Sequence, residues 1–226
     1  MAGPRALIFD FDGVITDSEP LHLAAFQRAL ATDGIVLDRD TYYAHYLGFN
    51  DHDAVVHALE SAGRAAPPDA VRALMQQKAK HFLALVGAGA PLFPGVDALV
   101  RTAAAHVPLA IASGALRHEI ELVLGHAGLS RAFVAIVSAE DVREGKPSPE
   151  GFLLALERLR VHAEDLAAAD CLVVEDSAPG VAAARAAGMR CLAVTNSAGR
   201  EALGAADLVV TSLEEVGWEG LVRLYA

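Results

Sequence analysis

The sequence predicts an α/β fold, in which a doubly wound parallel sheet carries a second, all-helical unit inserted after its first strand. A short apolar run near the start of the chain ends in Asp10, as expected of a buried parallel strand. From Phe93 onward, apolar runs alternate with segments of helical spacing, which is typical of βαβ units. Between these regions the spacing is helical alone. We therefore predict a helical cap domain at 16–88 and an α/β core at 1–15 and 89–226.

Four segments of the insert have apolar residues at helical spacing. They are 20–31, 40–47, from 51 or 52 to 62, and 68–86. The breaks between them fall at Gly34, Gly48 and 63–67. Pro20 suits the first turn of the first helix, and Ser18 can cap that helix. The Gly-Ala-Gly-Ala-Pro run at 87–91 is predicted to be the hinge by which the chain leaves the insert.

In the core, helices and strands alternate after the insert. The predicted helices are 94–105, 117–125, 148–160 and 179–187. The predicted strands after the first are 107–112, 134–137, 171–174, 191–194 and 208–210. This order predicts βαβ units and hence one parallel sheet.

The composition limits the function classes. The 226 residues are 54% hydrophobic, which is ample for a buried core, and the formal net charge is −11. That charge disfavours nucleic acid and anionic membranes as partners. Cys171 and Cys191 each open an apolar run, so we expect buried free thiols. No basic and apolar leader and no apolar run of membrane-spanning length is seen, so we expect a cytoplasmic protein. For its oligomeric state, we expect a monomer or a weak dimer.

Asp10 and Asp12 are the first candidate functional residues. Asp10 ends the first strand, and open α/β sheets bind ligands at the carboxyl ends of their strands. An Asp-x-Asp pair on one extended segment places two carboxylates on the same side, where they repel unless a divalent cation or a shared proton relieves them. The pattern indicates a site, although an acidic turn after a strand would use the same residues.

Three downstream motifs lie at the ends of apolar runs or in loops: Ser113-Gly114, Gly145-Lys146-Pro147 and Glu175-Asp176-Ser177. With Asp10-Phe11-Asp12-Gly13-Val14 they resemble, in order, the four motifs of the haloacid dehalogenase superfamily. The run Asp17-Ser18-Glu19-Pro20-Leu21-His22 resembles its β-phosphoglucomutase-like, or CbbY-like, phosphatase branch. The resemblance covers nearly the whole chain, and four ordered motifs are a stronger signal than one. It implies a Rossmann-like core with a cap domain.

The resemblance implies a role for each motif residue. Asp10 matches the nucleophile that becomes an aspartyl phosphate. Asp12 matches the general acid and base, whose backbone carbonyl also binds Mg²⁺. Ser113 matches the hydroxyl that hydrogen-bonds the transferring phosphate, with the backbone amides of Gly114 and Ala115 as further donors.

Lys146 matches the lysine that pairs with the nucleophile and stabilises the phosphoryl intermediate. Glu175 and Asp176 match the acidic motif that completes the Mg²⁺ site with Asp10 and Asp12. Without the resemblance, Ser113-Gly114 is simply a helix N-cap, Glu175-Asp176-Ser177 has an N-cap as its alternative interpretation, and Lys146 has that of a solvated loop lysine. Asn196 follows a predicted strand, but we assign it no role.

Four cap residues are candidates for substrate binding: His22, Asn50, Asp51 and Lys78. His22 aligns with a histidine near the hinge of mutase relatives, and Lys78 aligns with a cap lysine that can reach the distal end of the substrate. For either residue, helix packing is an equal alternative. Asp51 lies where the mutases carry an arginine for a second phosphate. A carboxylate there would repel that phosphate by roughly 1 to 4 kcal/mol.

Together these assignments predict Mg²⁺-dependent hydrolysis of a small phosphorylated metabolite, such as a sugar phosphate, through Asp10. A phosphosugar mutase shares every core motif, but Asp51 disfavours it. A haloacid dehalogenase would use the same nucleophile on carbon without a metal, yet Asp12, Glu175 and Asp176 would repel its carboxylate substrate. An idle module that binds a phosphorylated metabolite is disfavoured because nucleophile, acid and lysine are all present.

Overall fold

The computed structural model describes residues 3–46, 49–87, 89 and 91–225. Six parallel strands form one sheet, in the order β3-β2-β1-β4-β5-β6. The strands are β1 (Ala6–Phe9), β2 (Leu109–Ala112), β3 (Phe133–Val137), β4 (Cys171–Glu175), β5 (Arg190–Val194) and β6 (Leu208–Val210). The predicted doubly wound parallel sheet is confirmed.

The α-helices in the described part of the chain follow the predicted order. In the insert they are α1 (Glu19–Ala31), α2 (Arg39–His45), α3 (Asp51–Ser61) and α4 (Pro68–Gly87). In the rest of the chain they are α5 (Val96–Ala104), α6 (Arg117–Ala127), α7 (Glu150–Leu159), α8 (Ala178–Ala186) and α9 (Trp218–Arg223). Only α9 was not predicted, because its six residues are too few to show a helical period.

Both faces of the sheet are covered, and the sequence of β1 explains why. Side chains alternate between the two faces along a strand, so Ala6 and Ile8 share one face while Leu7 and Phe9 share the other. All four side chains are fully buried. Ala6 and Ile8 belong to the apolar cluster that α7 and α8 form with the sheet. A strand buried on both faces has no polar position, so it reads as a continuous apolar run.

β1 lies where the strand order reverses, between β2 and β4. Phe9 at its end pairs with Ile111 of β2 and with Val174 of β4. The carboxyl ends of these three strands are therefore level, and the residues that follow them lie along one edge of the sheet. Ligands of open α/β sheets bind at such a switch point.

The chain divides into two compact units, residues 1–17 with 91–226, and residues 18–90. The second unit consists of α1 to α4, and its described part contains no strand. Leu23, Phe26 and Leu30 of α1 are buried at spacings of three and four residues, and α1 packs on α4. Ser18 precedes α1, but its side chain makes no capping hydrogen bond, so that prediction is wrong. That this helical unit acts as a cap stays a prediction.

The junctions fall at 17/18 and 90/91 rather than at 15/16 and 88/89. The carbonyl oxygen of Pro91 accepts hydrogen bonds from Oγ1 of Thr16 at 2.9 Å and from the amide of Asp17 at 3.1 Å. Thr16 also forms an antiparallel bridge with Leu92. These contacts hold the outgoing and returning segments side by side in the core unit. Four positions of the predicted second helix, break and hinge lie outside the described residues: Leu47, Gly48, Ala88 and Ala90.

Cys171 and Cys191 are buried and form no disulfide, as predicted. None of the helices in the described ranges has the length and hydrophobicity that a membrane-spanning segment requires.

Candidate active site

Three buried carboxylates meet at the carboxyl edge of the sheet. Asp10 follows β1, Glu175 ends β4, and Asp176 follows it. The amide of Asp10 donates to the carbonyl of Val174 at 2.9 Å, which extends the pairing of β1 with β4 by one residue. One oxygen from each carboxylate lies within 4.8 Å of the other two. The sequence therefore brings three of the predicted site residues together through strand register alone.

Lys146 reaches the carboxylates from the loop between β3 and α7. Its ammonium lies 2.7 Å from Oδ1 of Asp10 and 2.5 Å from Oε1 of Glu175. The ammonium also lies 5.2 Å from the centre of the Phe152 ring, which belongs to the first turns of α7. The predicted pair with Asp10 is present. The second pair, with Glu175, was not foreseen, because sequence order does not show which of several carboxylates a loop lysine will reach.

The N-terminus of α8 holds Glu175. Oε2 of Glu175 accepts hydrogen bonds from the amides of Asp176 and Ser177 at 2.8 and 2.9 Å, and from the Ser177 hydroxyl at 2.9 Å. Ser177 in turn caps α8 by accepting from the amide of Gly180 at 3.1 Å. The helix-cap interpretation of this segment is confirmed, and the metal-binding role of its two carboxylates stays a prediction. With Lys146 on Oε1, Glu175 has donors on both oxygens, so Asp10 and Asp176 are the less occupied carboxylates.

The charges of this group do not balance. When all three carboxylates are ionised, they and one ammonium leave two negative charges uncompensated in a buried place. Burial, reinforced by Glu175 and Asp176, raises the pKa of Asp10 despite Lys146. Burial likewise raises the pKa of Asp176 to about 6. Burial also acts to raise the pKa of Glu175, but the charge and hydrogen bonds of Lys146 and the neighbouring amides hold that pKa below its usual value.

This donor set fits a hard divalent cation. Clustered carboxylate oxygens are the ligands that Mg²⁺ and Ca²⁺ prefer, and one such ion would supply the two missing positive charges. Thiol and imidazole ligands, which softer metals prefer, are absent from the group of three carboxylates.

Asp12 lies in the tight turn that follows Asp10. The amide of Gly13 donates to the carbonyl of Thr16 at 3.0 Å, and the amide of Ile15 donates to that of Phe11 at 2.8 Å. Asp12 is half-buried, and its side chain is outside the group of three carboxylates. Because the Asp12 side chain is not one of the three clustered carboxylates, its position is compatible with the predicted binding of Mg²⁺ through the backbone carbonyl. That role stays a prediction.

Gly13 is required at this turn for two reasons. Its φ of +80° lies in the left-handed region, which disfavours other residues. A Cβ atom on it would also overlap Oδ2 of Asp176. The backbone of the first motif therefore packs directly against the carboxylate of the fourth.

Ser113 follows β2, and its amide continues the sheet by donating to the carbonyl of Val137 at 3.0 Å. Its hydroxyl accepts a hydrogen bond from the amide of Ala115 at 3.1 Å. Ser113, Gly114 and Lys146 line a cavity of about 170 Å³, whose remaining wall is mainly apolar and includes Phe152. Three residues that were predicted to contact the phosphate therefore line one cavity: Ser113, Gly114 and Lys146. The Ala115 amide, in contrast, is engaged by Ser113 itself.

Ser197 is a further residue of this site that the sequence analysis missed. Its hydroxyl donates a hydrogen bond to Oδ2 of Asp176. Asn196, which was noted without a role, donates from Nδ2 to the carbonyl of Gly13 at 2.7 Å. The available signal was their position, directly after the carboxyl end of β5, the strand that neighbours β4.

Three of the four candidates in the helical unit meet each other. Lys78 is only 2% exposed, and its ammonium lies 2.7 and 2.9 Å from the two carboxylate oxygens of Asp51. Nδ1 of His22 lies 2.9 Å from the same ammonium. Burial, aided by the charge of Lys78, lowers the pKa of His22 to about 3, so this imidazole is neutral and accepts from Lys78. The charge of Lys78 is thus already matched by Asp51.

Packing and capping also occupy these candidates. The ring of His22 stacks on Phe82 with centroids 4.2 Å apart, and the Lys78 ammonium lies 5.0 Å from that ring's centre. Asn50 caps α3 by accepting from the amide of Asp53 at 2.9 Å. The alternative of helix packing therefore describes part of what these residues do, and their role toward a substrate stays a prediction.

Gly180→Ala is expected to destabilise the protein. The added Cβ would overlap the carboxylate of Glu175, and overpacking of a buried site costs about 1–3 kcal/mol. Gly125→Ala is the matched control, since Gly125 is also helical but has no atom within 4 Å of an added Cβ. That control should gain up to about 1 kcal/mol from helix propensity. Thermal unfolding in EDTA followed by circular dichroism measures both changes, and an equal or higher Tm for Gly180→Ala would contradict this packing.

Comparison with known proteins identifies similar chains. A family model described as haloacid dehalogenase-like hydrolase matches residues 4–188. The plasmid protein CbbY of Cupriavidus necator is 36% identical over 197 residues, which cover 82% of this chain and 76% of that protein. The fructose-1-phosphate phosphatase YqaB of Escherichia coli is 32% identical over 183 residues, covering 81% and 92%. A crystal structure of a CbbY variant from Rhodobacter sphaeroides, in complex with xylulose-(1,5)bisphosphate, has a TM-score of 0.81 at 28% identity and covers 96% of this chain and 99% of that one.

Proposed function

Because this chain belongs to the haloacid dehalogenase-like hydrolases, in their CbbY-like branch, we propose that it is a Mg²⁺-dependent phosphatase of a small phosphomonoester. The observation that carries the proposal is the buried group of Asp10, Glu175 and Asp176 with Lys146 against Asp10. Such a group is costly to fold, and its excess negative charge suits a divalent cation that faces a phosphate.

Asp10 is the proposed nucleophile. A carboxylate oxygen of Asp10 forms a bond to phosphorus while the bond from phosphorus to the leaving oxygen breaks, which yields an aspartyl phosphate and an alcohol. Asp12 donates the proton that the leaving oxygen takes up. In the second step Asp12 takes a proton from water, the water oxygen bonds to phosphorus, and the bond to Asp10 breaks to release inorganic phosphate.

Lys146 and Ser113 orient and stabilise the phosphoryl group in both steps. Lys146 already contacts Asp10, so its charge lies where negative charge accumulates during transfer. Asp10, Asp176, Glu175 and the backbone carbonyl of Asp12 would hold Mg²⁺. When bound, Mg²⁺ neutralises phosphate oxygens and so permits attack by an anionic nucleophile.

The substrate class we propose is a phosphorylated sugar or a related small metabolite. One relative is named a fructose-1-phosphate phosphatase, and one structural neighbour holds xylulose-(1,5)bisphosphate. These two compounds share the sugar-phosphate class but differ in their number of phosphates, and Asp51 bears on the choice between one and two phosphates. The excess of acidic residues over basic ones makes a large polyanionic substrate unfavourable. A panel of sugar phosphates assayed for inorganic phosphate release, with and without Mg²⁺, tests the proposal directly.

Phosphatase rather than mutase activity is supported by Asp51. We propose that the helical unit acts as the cap and that its residues contact the distal end of the substrate. Asp51 would bring a carboxylate to that end of the substrate. It also pairs with Lys78, so the charge of Lys78 is not free to bind a second phosphate. We therefore expect net phosphate release, and no conversion of glucose 1-phosphate to glucose 6-phosphate even with a bisphosphate primer.

Asp51→Asn should raise the preference for sugar bisphosphates over monophosphates about tenfold in kcat/KM, which corresponds to about 1.4 kcal/mol. The amide keeps the shape of the side chain but removes the charge that offsets Lys78. Asp69→Asn is the matched control, because Asp69 is an exposed carboxylate of the same unit that pairs with Arg72. Steady-state kinetics with both substrate types measures the ratio, and an unchanged ratio in Asp51→Asn would contradict this role.

A further inference from the structure

Two residues of the loop after β5 reach the first and fourth motifs. Nδ2 of Asn196 donates to the carbonyl of Gly13 at 2.7 Å, and the hydroxyl of Ser197 donates to Oδ2 of Asp176. β5 pairs with β4 through Glu175 and Ala193, so the loop that follows β5 runs beside Asp176. The pairing of β5 with β4 thus positions Asn196 and Ser197 at the site, just as strand pairing positions Asp10 and Glu175.

The space around Asp176 leaves its carboxylate little freedom. The side chain is buried at 3% exposure, and a single added carbon on Gly13 would overlap Oδ2. Ser197 donates to the same oxygen. The backbone of Gly13 on one side and the Ser197 hydroxyl on another therefore restrict the rotation of this carboxylate, one oxygen of which lies within 4.8 Å of an oxygen of Asp10 and of Glu175.

We propose that Ser197 is a positioning residue that orients Asp176 to bind the divalent cation, with Asn196 anchoring its loop to the turn at Gly13. This inference rests on the proposed function, because it assumes that the carboxylate group binds Mg²⁺. A carboxylate that must rotate into place loses side-chain entropy on binding a metal, and a partner that has already oriented it removes that cost. Hydrogen-bonding partners of metal ligands typically contribute about 10- to 100-fold to metal affinity.

Calorimetric titration of Mg²⁺ into the metal-free full-length protein tests the proposal. Ser197→Val and Ser197→Thr form the decisive pair, because valine and threonine have nearly the same shape and only threonine keeps the hydroxyl. We expect the Kd for Mg²⁺ to rise about 10- to 100-fold in Ser197→Val and to stay within about threefold of wild type in Ser197→Thr. Ser197→Ala should behave as the valine variant does.

Ser212→Ala is the matched control for a serine with a structural role alone. Ser212 lies two residues after β6, where its hydroxyl accepts from the amide of Glu214 at 3.2 Å. This variant should lower the Tm in EDTA and leave the Kd for Mg²⁺ unchanged. A purely structural role for Ser197 would give that same result.

Two results would overturn the inference, and they are distinguishable. Equal Mg²⁺ affinity in Ser197→Val and Ser197→Thr would remove the role of the hydroxyl and leave the phosphatase proposal intact. Absence of Mg²⁺ binding by the wild-type protein would overturn both proposals together. Because affinity is measured by heat rather than by turnover, an effect of Ser197 on catalysis alone cannot imitate the expected result.

Discussion

Asp10→Asn protein is expected to lose phosphatase turnover by several orders of magnitude and to keep its fold. Asparagine preserves the volume of the side chain but lacks the anionic carboxylate oxygen that attacks phosphorus. No other side chain can therefore form the covalent intermediate in its place. The same change removes one of three mutually repelling buried carboxylates. The Tm of the metal-free protein should therefore be unchanged or higher. Initial rates with an aryl phosphate, together with thermal melts in EDTA, measure the two effects separately.

Asp33→Asn supplies the control for Asp10→Asn, since Asp33 is an exposed carboxylate of the helical unit. It should retain wild-type turnover. Rapid acid quench of wild-type protein with labelled substrate should trap phosphate on the protein, and the Asp10→Asn protein should trap none. Aryl phosphate hydrolysis at a near wild-type rate by Asp10→Asn would refute the whole mechanism.

Removal of Mg²⁺ by a chelator should abolish activity, and its return should restore activity. Ca²⁺ should bind and inhibit, because its larger and looser coordination shell does not hold the nucleophile and the phosphate in line. The reason lies in the unbalanced charge at Asp10, Glu175 and Asp176, which a bound divalent ion would neutralise. Phosphatase activity that persists in excess EDTA would contradict the roles given to these residues.

The effect of Mg²⁺ on thermal stability should grow as the pH rises from 5 to 8. The pKa of Asp176 is raised to about 6 and that of Asp10 is also raised, both mainly by burial. The native metal-free protein therefore keeps protons that the unfolded chain loses near pH 4, so these two groups destabilise it progressively above that pH. Mg²⁺ replaces those protons, hence its stabilisation increases with pH. Melts with and without Mg²⁺ at three pH values measure this, and a pH-independent shift would contradict it.

The parts of the site that follow strand ends could be predicted from sequence, because sheet geometry decides where those residues lie. Asp10, Ser113 and Glu175 each follow or end an apolar run, and parallel strands bring such ends to one edge. The interactions that could not be predicted depend on side-chain reach. Lys146 makes an ion pair with Glu175 in addition to the predicted pair with Asp10, and Ser197 contacts Asp176 across 21 residues of chain.

The pairing of Lys78 with Asp51 shows a second limit of sequence reasoning. Taken separately in the sequence, Lys78 is a candidate cation for a phosphate and Asp51 is a candidate repelling anion. In the structure their charges are matched in a contact of 2.7 Å. The two residues lie 27 positions apart on different helices, so only the packing of α3 with α4 reveals that they act together.

The hydrogen bonds of Thr16 and Asp17 to Pro91 have a consequence for how such a chain can evolve. These hydrogen bonds hold the two ends of the intervening segment, which has more than seventy residues, next to each other. For the sheet, the segment is therefore equivalent to one long closed loop. Loop-closure entropy grows only logarithmically with length, by about 0.6 kcal/mol for each doubling. We therefore expect that segments of other lengths and folds could be exchanged at this position without disturbing the strand pairing of the core.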